Sequence, residues 1–162
     1  MPSTESAARG LQEQAVLWSI GEVRGSYVVA AACDALVAGL DGPTLRALAA
    51  CTRAEADYDV PELLPSALEE LGLTLHPVGS VAGQEAAARA LATRMLAGTL
   101  TPRELALRIH QYFGHELLLV EELAGLDDEY DILEYGDRTS AQVDADVIAE
   151  ARKLVRRPTA KP

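Results

Sequence analysis

The chain has 162 residues, 49% of them hydrophobic but only 4% aromatic, with 25 acidic against 14 basic side chains and a formal charge of -11. That length suits one ordinary domain with a real core, and the acidic balance disfavours nucleic acid or an anionic membrane surface as a partner. The longest apolar run, Tyr27 to Leu40, is interrupted by Asp34 and is shorter than the roughly 20 residues a membrane-spanning helix needs.

The start, Met1 to Arg9, is polar and leads into no secretory leader pattern. With Cys33 and Cys51 as the two cysteines, the expectation is a cytoplasmic protein with reduced thiols. Ala and Leu dominate the hydrophobic residues, which favours helix over strand. The expected fold is therefore all-α, a helical bundle of roughly seven helices.

Gly and Pro divide the chain into helix-sized pieces. A first helix is expected over about Leu11 to Ile20. After Gly21 and Gly25 a second runs from about Ser26 to Leu40, with Val29, Cys33, Leu36, Val37 and Leu40 as its inward stripe. Cys33 thus reads as a small core residue and Cys51 as the more exposed thiol. Pro43 suits the first turn of a short helix carrying Leu45 and Leu48. A polar loop follows through Asp57, and Pro61 opens a helix with Leu64, Leu68 and Leu71 on one stripe and Gly72 as its stop.

From Thr74 to Gly83 the composition changes to His76, Pro77, Gly79 and Ser80. The chain is expected to be a single helical domain, with a division into 11–73 and 83–156, joined near 74–82, as the alternative. The next helix presents Ala88, Leu91, Ala92, Met95 and Leu96 inward, sets Glu85 four residues before Arg89, and ends at Gly98. Thr101-Pro102-Arg103-Glu104 is a capping box with Pro at the first helical position. It starts a helix through Leu105, Ile109 and Phe113 to Gly114.

The remaining stretch holds the whole charge imbalance. Between Glu116 and Glu150 there are 12 acids and one base, Arg138, while the rest of the chain carries 13 of each. Leu119, Leu123, Leu126, Tyr130 and Leu133 recur at helical spacing, which puts Glu121, Asp128, Asp131 and Tyr135 on the opposite side. A last helix is expected from about Ala141 to Val155, with Val143, Val147, Ala151 and Val155 inward. Its Asp144 and Asp146 begin it and Arg152, Lys153, Arg156 and Arg157 end it, as the helix dipole favours. The tail, 157–162, is expected to be disordered.

Catalytic and metal chemistry find little support in these patterns. His110 and His115 are five apart with Gly114 between them, which puts them on different faces or beyond a helix end. The loop from Asp127 lacks Gly at its sixth position and Glu at its twelfth, so it is no EF-hand. No nucleophile elbow or phosphate loop is present. No catalytic residue, metal ligand or cofactor is expected.

The order Leu91-Ala92-x-x-Met95-Leu96-Ala97-Gly98-x-Leu100-Thr101-Pro102-x-Glu104-Leu105, then Asp127-Asp128-Glu129-Tyr130-Asp131, then a closing helix with Val147 and Leu154, resembles colicin D-type immunity proteins. The resemblance spans roughly residues 86–155. It implies a small bacterial helical bundle that neutralises a tRNA-cleaving toxin by offering carboxylates to its basic active-site surface. The expected partner is a basic protein met by Glu121, Asp127, Asp128, Glu129, Tyr130, Asp131, Glu134, Tyr135 and Asp137. A helical adaptor or homo-oligomer, or a small-molecule enzyme, are the competing expectations, and a solubilising role for the acidic face is the plainest one.

Overall fold

In the computed structural model, which describes residues 2–157, these residues form eight α-helices joined by turns, two of them 3-10, with no strand among them. No helix there is long and apolar enough to cross a membrane. Of the tail expected at 157–162, Arg157 is the C-cap of the last helix and 158–162 lie outside the described residues. The chain divides into two compact units, Met1–Gly83 and Gln84–Pro162.

The first unit holds α1 (Thr4–Ser19), α2 (Gly25–Val37), α3 (Pro43–Ala49) and α4 (Ala56–Glu70). α1 begins well before the expected Leu11, because Ser3 caps it by accepting a hydrogen bond from the Ser6 N–H at 3.1 Å. An exposed Glu5–Arg9 pair, four residues apart, extends the polar first turns. Leu11, Val28, Leu45, Leu48, Val60, Leu64 and Leu68 form the buried cluster.

The inward face of α2 is not the expected one. Val28, Ala31, Ala32 and Ala35 are buried, whereas Val37 is 63% exposed and Cys33 is exposed. α2 packs on α1, α3 and α4, and the side chains it turns toward them are small ones. Its start lies hard against α4, since a Cβ placed on Gly25 would lie 2.9 Å from the Ala56 carbonyl oxygen and 3.2 Å from Val60 Cγ2. Cys51 is the less exposed thiol, again reversing the expectation. Burial first, and then the charges of Asp59 and Glu55, push its thiol up.

Pro61 does not open α4 but lies inside it, as does Pro65. The signal lies upstream, where Thr52-Arg53-Ala54-Glu55 follows the capping-box pattern. The Thr52 N–H donates to Glu55 Oε2 at 3.0 Å and the Glu55 N–H to Thr52 Oγ1 at 3.3 Å. At the other end of α4, Glu70 reaches across to α3. Its carboxylate accepts from the Thr44 N–H at 2.8 Å and the Leu45 N–H at 3.1 Å, satisfying donors that a helix start leaves unpaired. Hydrogen bonding to Thr44 first, then to Leu45, holds the Glu70 carboxyl below its ordinary value.

α5 (Val81–Leu96) buries Ala88, Leu91, Ala92 and Met95 as expected, but leaves Leu96 exposed. In the second unit α6 (Pro102–Phe113), α7 (Glu121–Asp131) and α8 (Ser140–Arg156) pack on one another. α6 starts with the expected capping box at Thr101 and Glu104. α8 starts with another, in which Thr139 and Gln142 exchange hydrogen bonds. Single 3-10 turns, Leu118–Val120 and Leu133–Tyr135, flank α7. Leu105, Ile109, Leu123, Leu126, Val143, Val147, Ala151 and Leu154 are buried, with Leu154 taking the place expected of Val155.

Candidate functional site

α7 carries the site. Its helix passes through Gly125 without a break and buries Leu123, Leu126 and Tyr130 on one stripe, while Glu121, Asp128 and Asp131 lie exposed on the rest of its surface. Beyond its end, Glu134, Tyr135 and Asp137 are exposed as well, Tyr135 at 82%. Asp131, Glu134 and Asp137 enter no hydrogen bond or ion pair among the described residues. They surround Tyr135 in sequence with uncompensated charge.

Two of the residues expected at a partner surface are instead inside. Asp127 is 8% exposed, the one charged residue buried among those described, and its Oδ2 lies 2.9 Å from His110 Nδ1. A carboxylate only accepts, so His110 Nδ1 is the donor. Tyr130 is 4% exposed, and its hydroxyl donates to Asp144 Oδ1 at 2.5 Å. Burial, followed by the hydrogen bond to Asp144, pushes that phenol far up, and the Arg103 guanidinium sits 5.3 Å from its ring centre. Neither residue is available for a partner.

Two more carboxylates are engaged at the surface. Arg138 bridges Glu129 on α7 and Asp146 on α8. Asp144 and Asp146, which begin beyond the first turn of α8, thus serve Tyr130 and Arg138 and not the helix dipole. The bridge has an electrostatic consequence: the stretch's one base is held between two acids, so it leaves the surrounding face negative.

The structure also gathers residues that their spacing in sequence separates. α6 ends at Phe113, and Gly114, at φ +57, turns the chain so that the His115 ring comes to 4.8 Å from the His110 ring, edge to face. α7 brings Asp128 against both, 3.2 Å from His115 Nε2 and 3.7 Å from His110 Nδ1. One donor atom from each of His110, His115 and Asp128 lies within 4.8 Å of the other two. Spacing within a helix could not reveal this, because the turn at Gly114 and the packing of α7 on α6 create it.

In the first unit a cavity of about 260 Å³ is lined by apolar side chains including Trp18, Leu64, Leu68 and Leu75. His76 is the one titratable side chain in that lining, so no acid–base pair converges there. Comparison of the chain with protein-family models, with curated proteins and with solved structures finds no match.

Proposed function

We propose that the chain is a binding protein whose acidic α7 face masks a basic surface on another protein, most concretely as an immunity protein against a nuclease toxin. The observation that carries this reading is the exposed Tyr135 set among Asp131, Glu134 and Asp137, none of them paired among the described residues. A tyrosine of that exposure supplies apolar contact that charge alone lacks. The three carboxylates speed encounter with Lys and Arg and suppress wrong partners. Arg138 does not oppose them, since Glu129 and Asp146 already hold it. The working residues are Glu121, Asp128, Asp131, Glu134, Tyr135 and Asp137, without Asp127 and Tyr130.

Affinity purification with the wild-type chain, followed by nuclease assays on the basic protein it captures, tests the reading. The partner cuts RNA alone and loses that activity when the chain is added in equal amount. A partner that stays fully active when saturated removes the immunity role and leaves a binding role of another kind.

A further inference from the structure

We infer that His110, His115 and Asp128 form a binding site for a divalent transition metal of the zinc type, with Asp127 orienting His110. This goes beyond the masking role and needs no partner protein. The three residues come from three segments, the last turn of α6, the turn after it and the latter part of α7, so the fold and not local spacing assembles them. Zinc bonds of about 2.0–2.1 Å at tetrahedral angles put donor atoms about 3.3 Å apart. The 3.2 Å between His115 Nε2 and Asp128 Oδ2 already meets that, and one of the two ring nitrogens of His110 lies within 4.8 Å of both. The His115 ring and the Asp128 side chain, each about half exposed, can close the remainder by rotation.

The donor set selects the metal. Two imidazoles and one carboxylate suit zinc and its first-row neighbours, whereas calcium and magnesium require oxygen donors. Asp127 supplies a second, independent indication. It is a buried carboxylate whose hydrogen bond with His110 Nδ1, at 2.9 Å, fixes the ring and turns Nε2 to be the nitrogen that meets a metal. Metal-binding histidines are held by a carboxylate in this way, and losing that support costs roughly 10–100-fold in affinity. Three protein donors at an exposed position leave the fourth site to water.

The test is calorimetric titration of the untagged full chain with zinc chloride, paired with cobalt(II) absorption. About one zinc binds per chain, and His115→Ala and Asp128→Asn, both at exposed positions, each weaken it at least ~10-fold and abolish the cobalt bands. Asp131→Asn, on the same helix, leaves binding unchanged. The inference is overturned by absence of zinc binding to the wild type, or by binding that His115→Ala and Asp128→Asn leave intact, which would be diffuse attraction to an acidic surface. Far-UV circular dichroism on each variant confirms that its helices are in place. Failure of these titrations would leave the masking role untouched, since Asp131, Glu134 and Asp137 take no part in them.

Discussion

The Tyr130 hydroxyl donates to Asp144 Oδ1 across 2.5 Å, joining the buried stripe of α7 to the N-terminal half of α8. A residue whose type suggests an interface anchor is thereby a strut inside the unit. Tyr130→Phe keeps the ring and its packing but removes the donor, leaving a carboxylate without its partner. A loss of about 1 kcal/mol is expected, seen as a lower urea midpoint with an unchanged slope. Partner association should be unaltered, since the ring is already buried.

Gly25 sets the start of α2 hard against Ala56 and Val60 of α4, and the same measurement applies there. Gly25→Ala puts a methyl group 2.9 Å from the Ala56 carbonyl oxygen, a backbone atom that cannot swing aside. Ordinary helix propensity favours Ala over Gly by up to about 1 kcal/mol. Overpacking costs typically about 1–3 kcal/mol, so the clash decides the sign and the variant unfolds at lower urea.

Glu70 gives the pH dependence a definite direction. Its folded value is held below the ordinary 4.5 by the hydrogen bonds at the start of α3. The stabilisation is therefore complete above the ordinary glutamate range and is lost as pH falls through the folded value. Glu55 and Glu104, lowered by Thr52 and Thr101, act in the same sense. Thermal melts of wild type and Glu70→Gln should differ at about pH 7 and converge as pH falls through the folded value of Glu70. A gap that widens on acidification would contradict the capping role.

The helices were legible in the sequence where a local pattern encodes them. Thr101-x-x-Glu104 is a cap in sequence and in space. The expected starts at Pro61 and Ala141 overlook two similar patterns, Thr139-x-x-Gln142, which caps α8, and Thr52-x-x-Glu55, which closes the turn leading into α4. Faces were less legible. On α2 the larger apolar residues suggest the core, but the helix turns Ala31, Ala32 and Ala35 inward where it packs on its neighbours. Asp127 is three or four residues from Leu123, Ala124 and Tyr130, so its spacing marks the buried stripe, while its charge suggests the surface; His110 decides for burial. The gathering of His110, His115 and Asp128 has no sequence signal at all, since it depends on the turn at Gly114 and the packing of α7 on α6.

The masking role rests on charge that acts at long range and is not consumed within the fold. The most direct measurement is the association rate with the captured basic partner, for wild type and for the Asp131→Lys, Glu134→Lys, Asp137→Lys triple variant, as salt rises. These are exposed positions with no partner among the described residues, where substitutions cost about 0.5 kcal/mol or less each, so the fold stays intact. Between about 0.05 and 0.5 M salt the Debye length contracts from roughly 14 Å to about 4 Å, and the wild-type rate should fall steeply toward the slow rate of the triple variant. Equal rates for the two proteins, insensitive to salt, would contradict the account and reduce the acidic face to a solvated surface.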